Sequence, residues 1–232
     1  MKKLLLPALL GLLAAAPALA QDNAQVRSVA EFHAIKVGSG VSLALTAGHP
    51  QRVEVSASTP ELRDHLRTTV ADGVLTISLD NTDRNYQNQR NAKLRVAVTA
   101  DQLTALAAGS GSSVQAHGNI AAATFQLDVS SGASLQADID TKTLSVSQGS
   151  GSSVSLSGRA PSLEIHAGSG ASFSGKKLQT DRCRADASSG ASVEVAVKDD
   201  LVAQASSGGS ISYSGSPQVT KHVSSGGSVS GR

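Results

Sequence analysis

Ser147, His166 and Asp186 have the residue types of a hydrolase triad, and they stand 19 and 20 residues apart. A serine nucleophile, an imidazole base and a carboxylate that orients the base perform acyl transfer when they converge in space. So regular a spacing has a second source, a repeat that brings one position of every copy to the same face. The column is in fact longer: four residues before a recurring glycine stand Ala107, Asp128, Ser147, His166, Asp186, Gln204 and His222. Side chains on neighbouring strands project in parallel at about 4.8 Å. The expectation is therefore a polar surface ladder, with no oxyanion hole or cleft beside it. Acids at Asp128, Asp138, Asp140, Asp199 and Asp200 raise calcium binding or a glycosidase pair, but carboxylates taken pairwise are weak grounds for either. The GGxGxD string of calcium-binding β-rolls is absent. The six histidines show neither HxxxH nor HExxH, and the single cysteine, Cys183, has no second thiol to join it at a zinc ion. Neither GxxxxGK[ST] nor GxGxxG occurs, so the glycine-rich runs are not phosphate loops. The sequence predicts no cofactor and no metal.

The elements that would position this ladder are announced by a phrase of Ser-Gly, a small residue, Ser and one apolar residue. It reads SGSSV at 110–114, SGASL at 131–135, SGSSV at 150–154, SGASF at 169–173, SGASV at 189–193, SGGSI at 207–211 and SGGSV at 225–229. Its glycines (Gly111, Gly132, Gly151, Gly170, Gly190, Gly208 and Gly226) are 21, 19, 19, 20, 18 and 18 residues apart. A fixed turn signature with that period means stacked coils. Seven residues before each glycine sit Thr104, Phe125, Leu144, Leu163, Cys183, Leu201 and Val219; five before sit Leu106, Leu127, Val146, Ile165, Ala185, Ala203 and Lys221. Three after sit Val114, Leu135, Val154, Phe173, Val193, Ile211 and Val229. A spacing of two between inward positions is the strand period. Each coil thus has a strand on either side of the Ser-Gly turn and a second turn often marked by glycine (Gly118, Gly158, Gly175, Gly215). No coil buries its few apolar side chains alone, but stacked coils form a continuous core. The fold class expected is all-β, a parallel β-helix of coils of about 18–21 residues over 101–232, with an irregular β-rich part over 32–100. Seven coils at about 4.8 Å make a rod of about 34 Å. The glycine serves a positive φ, Ser113, Ser134, Ser153, Ser172, Ser192, Ser210 and Ser228 are placed to bond along the rod, and Cys183 is a small core residue.

The chain begins with Lys2-Lys3, an apolar run over 4–16 and Ala18-Leu19-Ala20, which reads as a secretory signal peptide cleaved after Ala20. A spanning helix needs about 20 apolar residues, and no later stretch approaches that length. The leader carries Lys2 and Lys3 and no acid, so the formal charge of +2 belongs to it and the mature chain is neutral. No basic stripe points to nucleic acid. Aromatic residues are 2% of the chain and Trp is absent, which leaves no broad stacking surface for sugars or bases.

Residues 21–31 read as a flexible lead-in. Strands are expected at 33–37, 41–46, 52–57, 66–71, 74–79 and 93–99, with Asp72-Gly73 as a hairpin turn. Thr59-Pro60-Glu61 opens a short helix running to about residue 65. Gly38-Ser39-Gly40 with Ser42 and Leu43 is a degenerate earlier copy of the repeat phrase. Residues 80–91 form a polar exposed loop in which Arg84, Tyr86 and Arg90 are candidate contact residues.

The succession FHAIKVGSGVSLALT, RVEVSAS, LTALAAGSGSSV and then SSGAS units resembles the head GIN domain family, exported bacterial proteins described as autotransporter adhesin heads of uncharacterised activity. The resemblance runs from about residue 32 to the C-terminus. It implies a β-helical domain of the cell envelope or surface and brings no catalytic residues with it. No translocator barrel follows the repeats, which argues against self-export. The expected function is that of a non-enzymatic binding or structural module, periplasmic or secreted, whose partner is an envelope protein, a glycan or a second copy of itself. The alternative is a lyase or hydrolase acting on polysaccharide through acids on one face.

Overall fold

The computed structural model describes residues 23–80 and 93–232. The leader and the loop residues Arg84, Tyr86 and Arg90 lie outside the described residues.

Alternating patterns and local turn signals build the N-terminal part. Its elements are β1 (Gln25–Arg27), β2 (Ala34–Val37), β3 (Ser42–Ala47), β4 (Arg52–Ala57), helix α1 (Pro60–Asp64), β5 (Leu66–Ala71), β6 (Val74–Leu79) and β7 (Leu94–Ala100). The Thr59 side chain caps α1 by accepting from the Leu62 N–H at 3.3 Å, and Pro60 occupies the first turn, where its missing N–H costs nothing. Asp72 and Gly73 have φ of 51° and 72°, the mirror-image turn that suits the twist of the β5–β6 hairpin. The 21–31 segment, expected to be a flexible lead-in, instead contributes β1, which pairs antiparallel with β4.

The repeats follow as β8 (Ala105–Ala108), β9 (Ser113–Val129), β10 (Ser134–Gln148), β11 (Ser153–Arg159), β12 (Ser162–Ala167), β13 (Ser172–Ala187), β14 (Ser192–Ala205), β15 (Ser210–Ser214), β16 (Gln218–Val223) and β17 (Ser228–Gly231). They form the expected β-solenoid. After each Ser-Gly turn one run of strands stacks in parallel in the order β7, β3, β9, β10, β11, β13, β14, β15, β17. The returning halves stack as β6, β2, β8, β9, β10, β12, β13, β14, β16. At the N-terminal end, antiparallel β4 and β5 flank β7 and β6, and β1 adds to β4. β9, β10, β13 and β14 run unbroken through the second corner. The coils that carry Pro161 and Pro217 there split into two strands, as expected of a residue with no N–H to give the ladder.

The turn itself is the repeated unit. In every copy both central residues have positive φ: the serine at 49–58° and the glycine at 68–75°, beginning with Ser39-Gly40. Each turn closes on its own bond, as from Ser112 N to Gly109 O at 3.1 Å, and in every turn but the last the glycine N–H donates to the serine carbonyl of the next coil. Gly40 donates to Ser110 O at 2.9 Å, so the degenerate copy at 38–43 is the first rung of the same ladder.

The inward columns are buried as expected, from Phe125, Leu127 and Val114 through Cys183, Ala185 and Ile211. Two further columns join them, Ala108/Val129/Gln148/Ala167/Ala187/Ala205 before the turn and Ser112/Ala133/Ser152/Ala171/Ala191 after it. Two positions depart from the register. Thr104 is exposed and its hydroxyl donates to His33 O, because Leu103 takes the buried place where the chain enters the first full coil. Lys221, in the last coil, is exposed with its Nζ 5.3 Å from the centre of the Tyr213 ring. The serine column two past the glycine is not a continuous ladder. Ser134 donates to Ser113 at 3.2 Å, but no other pair in that column bonds among the described residues. Coils about 4.8 Å apart exceed the reach of a hydroxyl bond unless both rotamers lean together.

These observations separate the glycine from the serine. A Cβ on Gly170 would meet nothing within 4 Å, but its φ of 71° penalises any branched side chain. Gly170→Val should therefore cost about 1–3 kcal/mol of unfolding free energy, and Ser172→Ala, on the outer face, no more than about 0.5 kcal/mol. Urea denaturation of the two variants checks the difference, and equal midpoints would refute this account of the turn.

Candidate functional site

Parallel register brings the predicted ladder together. Asp128, Ser147, His166, Asp186, Gln204 and His222 are successive cross-strand partners on β9, β10, β12, β13, β14 and β16. His166 Nδ1 lies 3.0 Å from Asp186 Oδ2, so two members of the suspected triad do meet. The third does not join them. His166 Nε2, the nitrogen that would take a serine proton, faces Glu164 Oε1 at 3.3 Å, and no hydrogen bond connects Ser147 to the ring among the described residues. Glu164 and Arg184, neighbours on the same strand face, complete the group: Arg184 Nε is 3.7 Å from Asp186 and 4.0 Å from Glu164. The Gln204 amide, oriented to suit both neighbours, donates to Asp186 Oδ1 at 3.1 Å and accepts from Arg184 Nη2 at 2.9 Å. The ladder is a mutually satisfied charged patch. His166 is half exposed, so water screens the pair. A His166/Asp186 double-mutant cycle should give a coupling below about 1 kcal/mol, smaller still in molar salt.

The other acids stay apart. Asp138 and Asp140 alternate with buried Ile139 on β10, and Asp199 and Asp200 are exposed where β14 rounds the second corner. Among the described residues, no three His, Cys, Asp or Glu side chains are placed to hold a metal ion. Cys183 is 4% exposed between Leu163 and Leu201, and desolvation pushes its thiol up to about 12. The unfolded chain releases this proton near the ordinary thiol range, about 8.5, and the folded one only near 12. Between those values the unfolded state binds fewer protons, so stability falls as pH rises. Cys183→Ala should flatten that alkaline slope in denaturation curves, and the wild-type thiol should resist an aromatic disulfide reagent at pH 8 until the chain unfolds.

The faces carry several concavities, among them two that sequence reasoning missed. One, of about 660 Å³, lies where the N-terminal part joins the coils; it is bordered by Glu31, His33, His49, Gln51, Asp101 and Gln102. His49 pairs with Asp101, and the Gln51 side chain bonds both ways with the Phe32 backbone. The other, of about 590 Å³, lies at the second corner between β11 and β15. Its cause is a change of coil length. From β13 to β14 the register passes from Gly175↔Val195 to Gln179↔Ala196, leaving three residues of the longer coil unmatched. Only the uneven glycine spacings, 20 and then 18, hinted at it.

The fold and these faces define a β-solenoid with a tightly repeated corner and variable polar faces. Residues 31–217 match the model described as "putative auto-transporter adhesin, head GIN domain", and the chain belongs to that family. No curated protein sequence matches it. Among solved structures it is similar to a putative adhesin of Bacteroides fragilis (TM-score 0.78, 17% identity, covering 90% of this chain and 96% of that one). A putative adhesin of Parabacteroides distasonis (TM-score 0.71, 20% identity, 90% and 96% covered) is likewise similar. So is one of Parabacteroides merdae (TM-score 0.69, 16% identity, 90% and 95% covered). At these identities the likeness is one of fold.

Proposed function

We propose that this chain is an exported binding module of the bacterial cell envelope, adhesin-like and without catalytic activity, that presents variable polar side chains on a fixed coil scaffold. One observation carries this reading. The outward positions change from coil to coil, as in the Asp128-to-His222 column, while the turn and inward columns repeat. A binding surface needs that division of labour. The pairing of both His166 nitrogens with carboxylates supports the non-enzymatic part. Export rests on the leader: Lys2-Lys3, the apolar run and Ala18-Leu19-Ala20 are the three parts of a secretory signal. The partner is an envelope protein or a glycan.

Fractionation of expressing cells should recover a mature protein beginning at Gln21 in the periplasm or medium, and deletion of residues 2–16 should leave it in the cytoplasm. Purified protein should bind a subset of a glycan array or retain an envelope component. Polysaccharide cleavage by the pure protein, lost in a variant of Asp138 or Asp140, would replace this reading with the enzymatic one.

A further inference from the structure

We propose that the concavity at the coil-length step is a binding site for an acidic sugar residue, one that carries a carboxylate. The inference rests on the binding-module reading and names the ligand class for one place on it.

The site is built from four successive coils. Arg159 comes from the first, Gln179 to Asp181 from the long coil, Ala196 to Lys198 from the short one, and Ser214 to Ser216 from the next. Its volume of about 590 Å³ falls within the range of small-ligand sites. The lining offers two cations against one acid. Neither cation is held at hydrogen-bond distance by its neighbour: Arg159 is 3.7 Å from Asp181, and Lys198 is 3.8 Å from Asp199. Lys176, just outside, shows what a closed pair looks like, with Glu194 at 2.9 Å. Both cations are well exposed, at 56% and 77%, and can turn toward an anion by giving up only these long ion pairs.

The remaining lining suits a sugar ring. Ala196 and Gly215 give a floor without polar side chains over the buried Val197, and Gly215 is obligatory there because a Cβ would sit 2.1 Å from Val197 O. Ser214, Ser216 and Gln179 supply donors and acceptors at the rim. Thr180 lines the same corner, and its buried hydroxyl has no hydrogen-bond partner. Two coils earlier the hydroxyl of Thr141 is satisfied, donating to Thr143 O at 3.0 Å. The step corner is thus the less completed of the two. An apolar face, hydroxyls at the edge and a carboxylate are together the chemistry of a uronic acid. A neutral sugar leaves both cations unused, and a bare anion leaves the floor uncovered.

The test titrates the full mature chain with a galacturonate trimer and with its methyl ester, which has the same shape and no charge, by calorimetry or by NMR shifts of the corner residues. The acid should bind, and the ester should bind at least about tenfold more weakly, the size expected of a lost bond to a charged group. Arg159→Ala and Lys198→Ala should each weaken the acid by a similar factor while leaving the denaturation midpoint unchanged, since both side chains are exposed. High salt should weaken the acid and not the ester. Absence of acid binding, equal affinity for the ester, or unchanged affinity in both variants would overturn the proposal. Array or envelope binding that persists in both variants would place the ligand elsewhere and leave the module reading intact.

Discussion

The constraint on which the solenoid depends is a turn with two consecutive residues at positive φ, repeated without exception from Ser39-Gly40 to Ser225-Gly226. The glycine occupies that region freely, but the serine before it does not, and a side chain there costs about 1–2 kcal/mol. Eight serines accept that cost, which makes it systematic and not local strain. What offsets it is cooperative. Every turn closes its own bond, and every turn but the last donates another to the coil beyond, so each interior corner is held by two neighbours. The small residue that follows, as at Ala133 or Ala171, points into the core and lets opposite walls approach at that edge.

A corner so tightly specified exports its irregularity to the other one. Coil length varies, and the variation is absorbed where Gly158, Pro161, Gly175, Gly215 and Pro217 stand and where the strand register shifts. Gly158 shows how close the backbones come there: a Cβ would lie 2.2 Å from Ile139 O. The Ser-Gly edge therefore fixes the stack, and the opposite edge gives the molecule its particular shape.

The inward columns were legible in the sequence because their offsets from one glycine hold in coil after coil. The offset failed at Thr104, where the chain enters from the N-terminal part and the coil is incomplete, and at Lys221 in the last coil. Local signals likewise revealed the α1 cap and the β5–β6 hairpin. Pairing was harder. Nothing local says that Ser39-Gly40 stacks on Ser110-Gly111 across the whole inserted region, or that β1 returns to β4. The candidate triad was legible as a column but not as a site. Its chemistry is decided by Glu164 and Arg184, which occupy the same strand face two residues away: Glu164 takes the His166 Nε2, and Arg184 pairs with Asp186. The contact between rungs was predictable; the choice among neighbours within it depends on rotamers.

Flat faces also bear on where recognition can occur. A regular parallel stack presents side chains in straight rows, which suits a broad protein surface but offers little concavity to a small ligand. Concavity is favoured by a break in the stacking, as at the join that carries His49 and Asp101 and at the step that carries Arg159 and Lys198. At the join, the His49–Asp101 pair and the Gln51–Phe32 bonds already satisfy much of the polar lining. At the step, the cations are only loosely opposed and one buried hydroxyl is unmatched. The exposed, loosely paired cations keep their capacity for an anion, so the step is the better-prepared site.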